Sequence, residues 1–209
     1  MQINYNNISV DGIKNTKEKD KLIYNILSQA TSLNIIFDKQ LLDETLKTIN
    51  QYKIGKKKFI LFGTGGSNLG AQTLHNINNN KKIDIEFYDN VDPISFMKSF
   101  ENIDFKSTGF IIISKSGSTP ETLAQFSCIY EIAIQTDNID NFLSNILIIT
   151  EFKDSPLYNE SKKNNCLMLE HNNEIGGRFS VFSNVGIVPA ILSGLNIKDL
   201  YSGASDIIN

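Results

Sequence analysis

Three short segments of this chain concentrate the residue types that handle anions. The first, Gly63-Thr64-Gly65-Gly66-Ser67-Asn68-Leu69-Gly70, is a glycine-rich run that closes an apolar stretch. Glycine lets backbone N–H groups approach a ligand closely, and a helix N-terminus favours negative charge. The second, Ser114 to Thr122 (SKSGSTPET), packs the hydroxyls of Ser114, Ser116, Ser118 and Thr119 into six residues. Thr119 stands at a helix-capping position with Pro120 at the first helical one, so hydroxyls and free backbone donors meet in a cradle suited to phosphate. Capping alone would account for Thr119 and Ser118 but not for Ser114 and Ser116. Lys115 is expected to face outward rather than to act as a Walker-type lysine. In the third segment, Asn173 to Ser180 (NEIGGRFS), Gly176 and Gly177 allow a sharp turn that presents Arg178. Of 20 basic residues, Arg178 is the only arginine, in a chain that otherwise uses lysine throughout. An arginine kept against such a bias points to a need for its planar fork or permanent charge. A developing oxyanion or a substrate oxygen would use both; the alternative is an arginine locked to a structural carboxylate.

The elements that position these segments follow from hydrophobic periodicity. Residues 18–31 and 38–53 carry apolar residues at helical spacing behind a polar, Asn-rich arm, residues 1–17. From about residue 57 the pattern changes. Apolar strands are predicted at Lys58–Phe62, Ile83–Tyr88, Gly109–Ser114, Asn145–Thr150 and Cys166–Glu170. Helices are predicted between and after them, at 69–77, from Pro93 to Phe100 with Asp92 as cap, at 120–135, 155–163, 184–194 and 198–208. The tract Asn76–Lys82 is expected to turn. Alternating strands and helices, with strands apolar throughout, predict a mostly parallel sheet covered on both faces: a doubly wound, three-layer α/β sandwich over residues 57–209, preceded by an N-terminal region of arm and helices over 1–56. In such sheets ligands bind where strands end and turns lead into helices, and the three unusual segments occupy three such turns.

Composition sets the outer bounds. The chain has 209 residues and a formal net charge of −3, with 41% hydrophobic and 21% charged residues. That is an ordinary globular composition, and it disfavours non-specific nucleic-acid binding. The lysines at 56–58 are expected to form a solvated strand entrance. No stretch approaches the ~20 apolar residues of a membrane helix, and the polar N-terminus lacks a signal peptide's apolar segment. Cys128 and Cys166 do not suggest a disulfide framework. A cytoplasmic protein without membrane or nucleic-acid partners is expected. The first segment is not a Walker loop, because no Gly-Lys-Ser/Thr follows, and it matches the dinucleotide fingerprint only loosely.

Taken in order, the three segments resemble the sugar-isomerase (SIS) domain, and within it the glucose-6-phosphate isomerase family. Gly65 to Gly70 is similar to that family's first substrate loop, Ser114 to Thr122 to its phosphate loop, and Gly176-Gly177-Arg178-Phe179-Ser180 to its most specific signature. The resemblance implies that Ser114, Ser116 and Thr119, with the backbone around Lys115, hold a sugar phosphate. Gly66 and Ser67 would line the sugar and phosphate, and Arg178 would stabilise the charge of an enediol intermediate. It implies a homodimer and reversible interconversion of glucose 6-phosphate and fructose 6-phosphate, with no metal or organic cofactor. Asn68, Ser116 and Asn184 replace the family's more usual Asp, Thr and small residue or proline. The resemblance also implies a second SIS domain supplying a glutamate base, a histidine and a lysine. None of Glu170, His171 and Glu174 matches that base. His75 is expected on a helix surface and His171 in an exposed loop. The chain is therefore expected to be the first portion of an isomerase, or alternatively a non-catalytic SIS module that senses a sugar phosphate. A phosphomannose or phosphoheptose isomerase fits the third segment less well.

Overall fold

The structure, a computed structural model, describes residues 17–79, 81 and 83–208. The expected arm at residues 1–17 lies, but for Lys17, outside them. The chain divides into two compact units at Ala30–Thr31. In the first, helix α1 runs over Lys17–Gln29. The second opens with a short helix α2 (Thr31–Asn34), a 3-10 turn at Ile35–Phe37, and α3 (Lys39–Tyr52), whose first turn is capped by the Asp38 carboxylate accepting from Leu41 N–H.

Strands and helices then alternate. They are β1 (Lys58–Phe62), α4 (Leu69–Ile77), β2 (Ile85–Tyr88), α5 (Pro93–Phe100), β3 (Thr108–Ile113), α6 (Pro120–Gln135), α7 (Ile139–Ser144), β4 (Ile146–Thr150), α8 (Pro156–Lys163), β5 (Leu167–Glu170), α9 (Asn184–Leu192) and α10 (Ile197–Ile208). Asp92 caps α5 as expected, accepting from Ser95 N–H at 2.9 Å. Helix α7 is an addition: six residues behind the left-handed Asp137 (φ 56°) are too short to show a periodic stripe.

All five strands are parallel, in the order β2-β1-β3-β4-β5. Side chains alternate between faces, which explains why the three central strands are apolar throughout residues 59–62, 109–113 and 146–149. Ile60, Phe62, Phe110, Ile112, Ile146 and Ile148 face one layer, where Phe96, Phe100, Phe126, Ile129, Phe142 and Leu157 come from α5 to α8. Phe59, Leu61, Ile111, Ile113, Leu147 and Ile149 face the other, against Ile49 and Tyr52 of α3, Ala71 of α4, and Val185, Val188 and Leu192 of α9. The central-strand positions 59–62, 110–113 and 146–149 are 0–1% exposed, so each large side chain contributes about 1.5–3 kcal/mol of transfer free energy. α10 adds a further layer, with Ile197 and Tyr201 packing with Ile187 and Ala190 of α9. Tyr52 ties α3 to the sheet: its hydroxyl donates between the carbonyls of Phe110 and Asn145, at 2.9 and 3.0 Å.

The order places a reversal between β1 and β3. The chain leaves β1 for β2 on one side and returns to β3 on the other. Their carboxyl ends form the topological switch point, where a crevice opens in folds of this kind. The first and second segments are the turns that leave those two strands.

Candidate functional site

The glycine-rich turn leaves β1 through a 3-10 turn at Gly65–Ser67, with Gly65 at φ 53°. The third segment forms a matching 3-10 turn at Gly177–Phe179. These turns meet backbone to backbone. A side chain on Gly66 would overlap the Gly177 carbonyl, with its first carbon 2.7 Å from Gly177 Cα. Glycine is required at residue 66 for this close approach rather than for its torsion angles. The Ser180 hydroxyl reinforces the seam, donating to Gly177 O at 2.7 Å and lying 3.4 Å from Gly66 O.

The second segment leaves β3 as a compact loop. Gly117 takes φ 66°, and any side chain there would collide with the Ser155 hydroxyl. Thr119 occupies the N-cap position of α6 but makes no side-chain bond to the helix. Its hydroxyl turns into the loop instead, 2.8 Å from Ser114 Oγ and 3.5 Å from Ser116 Oγ. The first-turn N–H groups of α6 are thus left without a side-chain acceptor from their own cap. Three hydroxyls and a helix start converge, which is the donor set a phosphate monoester needs.

A cleft of about 340 Å³ joins these loops, lined by Gly66, Ser67, Lys115, Ser116, Thr119 and Gly177, together with Thr64 and two residues of the turn after β4, Glu151 and Lys153. Of the sequence-predicted residues, Gly66, Ser67, Lys115, Ser116 and Thr119 line the cleft. Ser114 is buried beneath it, bonded to Thr119. Arg178 is exposed beside the lining residue Gly177. Among the described residues its guanidinium makes no hydrogen bond or ion pair.

Lys115 departs from its expected outward course. Its Nζ donates to the carbonyls of Asn173 at 2.7 Å and Ile175 at 3.0 Å, and stands 3.6 Å from Glu151 Oε1. Sequence reasoning missed Glu151 and Lys153. The signal was available, because they sit in a fourth turn at the carboxyl edge of the sheet, just after β4. The Glu151 side chain is 8% exposed and paired with Lys153 as well as Lys115. Burial alone would push its carboxyl up, but Lys153, Lys115 and His171 outweigh it and hold the group below its usual value.

Both histidines depart from expectation. His75 is buried on α4, its ring 5.4 Å from that of Phe87 and its Nε2 3.5 Å from Asp84 Oδ1. His171 is fully buried after β5, with Nδ1 3.1 Å from Asn172 O. Burial is the leading cause that pushes both below the usual imidazole value. Neither lines the cleft. Asn184 is structural, accepting from Thr45 Oγ1 at 2.7 Å and donating to Glu170 O at 3.0 Å. Cys128 is exposed and Cys166 buried, both unpaired, and burial pushes the Cys166 thiol up to about 11. Among the described residues no helix is long and apolar enough to cross a membrane.

Comparison with known proteins bears on this arrangement. Residues 45–209 match the family model described as phosphoglucose isomerase. The glucose-6-phosphate isomerase of Campylobacter jejuni is 36% identical over 180 residues, covering 83% of this chain and 41% of its own length. Among solved structures, a hypothetical protein from Thermus thermophilus superposes with a TM-score of 0.79 at 23% identity, over 91% of this chain and 48% of that one. A glucose-6-phosphate isomerase from Chlamydia trachomatis gives 0.68 at 22% identity, over 79% of this chain and 32% of its own. The chain therefore spans about two-fifths of the length of the Campylobacter relative.

Proposed function

The chain belongs to the phosphoglucose isomerase family, and on that footing we propose that it carries the phosphate-holding portion of an enzyme interconverting glucose 6-phosphate and fructose 6-phosphate. Residues 57–209 form the sugar-phosphate domain of this reading. The phosphate sits among Ser114, Ser116, Thr119 and the backbone around Lys115, and Gly66 and Ser67 border the sugar. Isomerisation removes a proton beside a carbonyl and loads negative charge onto oxygen. Arg178 stabilises that charge, as a cation aimed at a developing oxyanion does. The proton itself needs a base within hydrogen-bond reach of the substrate carbon. Glu151, the carboxylate of the cleft, is engaged by two lysines. The base is therefore assigned to the part of the relatives' length that this chain does not span. The complete enzyme is a cytoplasmic homodimer in this proposal.

The observation that carries the reading is the state of Arg178: exposed, uncommitted among the described residues, and set on a turn that touches the glycine-rich loop beside three converging hydroxyls. The test is titration of the 209-residue chain with fructose 6-phosphate, followed by an isomerase assay on the same sample. Binding without turnover is expected. The double variant Ser114→Ala/Thr119→Ala should lose at least about tenfold in affinity, since each hydrogen bond to a charged group is worth ~1.5–3 kcal/mol. Equal binding by the double variant would place the phosphate elsewhere, and turnover by the chain alone would put the base within it.

A further inference from the structure

We propose that Lys115 is a positioning residue that clasps the Arg178 loop onto the phosphate loop, rather than a ligand of the phosphate itself. The lysine ammonium has three N–H donors and no acceptor. Two of them go to the carbonyls of Asn173 and Ile175, at 2.7 and 3.0 Å. The remaining one faces Glu151, at 3.6 Å. An ammonium bonded to two carbonyls and facing a carboxylate at ion-pair distance is directed at the Arg178 loop and the turn after β4 rather than into the cleft it borders.

Its partners explain what the contact achieves. Ile175 is 1% exposed and lies three residues before Arg178. Its carbonyl belongs to the last peptide before the Gly176-Gly177 turn, so fixing it fixes where the turn begins. On the other side, the main chain of Lys115 is itself held, with Glu151 N–H donating to its carbonyl at 3.1 Å. One residue thus joins the turns after β3, β4 and β5. The seam between Gly66 and Gly177 closes the same loop against the turn after β1. Charge favours the same arrangement. Two carbonyl acceptors do not neutralise an ammonium, whereas Glu151 does, and its own second pairing with Lys153 keeps it in place. Lys115 therefore acts through Arg178, by setting the path of the turn that presents the guanidinium.

The ligand arm of the test rests on the sugar-phosphate reading; the exchange arm does not. Lys115→Met keeps the stem and removes the donors, while Lys115→Arg keeps charge and donors. In the 209-residue chain, hydrogen exchange at the amides of Ile175, Phe179 and Ser180, all hydrogen-bonded within this loop, should quicken by about tenfold or more in Lys115→Met and return toward wild type in Lys115→Arg. Inorganic phosphate affinity should fall by less than about tenfold in Lys115→Met, through loss of one nearby charge rather than of a direct contact, and by less still in Lys115→Arg. Fructose 6-phosphate affinity should fall in Lys115→Met, and that fall should vanish in an Arg178→Ala background, a coupling that general loop disorder would not produce. Unchanged exchange overturns the clasp. A tenfold loss of inorganic phosphate affinity, whatever the exchange, assigns Lys115 to the phosphate and also overturns it. An additive Arg178→Ala cycle overturns action through the arginine. If wild type binds neither ligand, the sugar-phosphate reading fails while the exchange result still decides the clasp.

Discussion

Gly66→Ala isolates the seam between the first and third turns. The added methyl would lie 2.7 Å from Gly177 Cα and overlap the Gly177 carbonyl. Ordinary contact begins near 3.4 Å, so the two backbones must part by about 0.7 Å (3.4 − 2.7) at Cα, and by more at the carbonyl. Both obstacles are main chain, and neither can swing aside as a flexible side chain would. Parting them also strains the Ser180 hydroxyl, which bridges the two turns. Overpacking of this kind costs about 1–3 kcal/mol. For a unit of this size 1 kcal/mol shifts Tm by roughly 2–4 °C, so the middle of the range corresponds to a fall of about 4–8 °C. The control is the neighbouring Gly176→Ala. Gly176 has φ −66°, and its added carbon would meet only Phe179 Cδ2, at 3.5 Å. That variant should stay within about 0.5 kcal/mol of wild type. Thermal unfolding of both variants, with inorganic phosphate titration of each, is the assay. A Gly66→Ala chain with wild-type Tm and wild-type phosphate affinity would refute the argument that this close approach builds the cleft.

Two further predictions concern stability. His75 and His171, the chain's two histidines, are both held below the usual imidazole value chiefly by burial. Below about pH 6.5 the unfolded chain takes up protons that the folded chain refuses, so stability present above that pH is lost as pH falls. Glu151, also held low, adds to the loss only at more acid pH. Tm should therefore decline between pH 7 and 5.5, and less steeply in His171→Gln; a flat profile in the wild type would contradict the burial of both rings. Tyr52→Phe removes a buried hydroxyl shared by two carbonyls and should cost about 1–2 kcal/mol. The expected fall in Tm is roughly 2–8 °C, measured by calorimetry; no change would mean that the hydroxyl contributes nothing net.

Periodicity made the elements legible, while the meeting of distant groups was not. The apolar runs at Lys58–Phe62 and Asn145–Thr150 predict strands because burial on both sheet faces demands apolar residues at every position. Asp92-Pro93 marks the start of α5 because capping chemistry is local. The order of the strands depends on pairings between segments tens of residues apart, which no local signal encodes. Lys115 shows the same limit: its acceptors lie 58 and 60 residues away, so its direction follows from the fold and not from its neighbours. Thr119 is a different case. Its position signals an N-cap, but a hydroxyl can serve only one geometry, and Ser114 competes with the helix for it. Polar residues in mixed surroundings are read as exposed by default, and His75 and His171 break that rule.

The cleft separates neutral from charged recognition. Its hydroxyls and helix start can accept a phosphate without adding charge to the fold. Of its cations, Lys115 is tied to two carbonyls and Glu151, and Lys153 to Glu151. Two lysines and one glutamate leave one net positive charge around the cleft, and Arg178 at its margin makes two. A phosphate monoester carries about −1.5 to −2 at neutral pH, so the proposed ligand would bring the site close to neutrality. That balance gives a physical reason for a buried carboxylate beside an anion site, where it would otherwise repel the ligand. Glu151 pairs with two lysines whose charge would reach the proposed phosphate through space. On the proposed reading, the guanidinium, uncommitted among the described residues, would form new hydrogen bonds as charge moves onto the sugar oxygen, where an interaction made in the transition state accelerates the reaction.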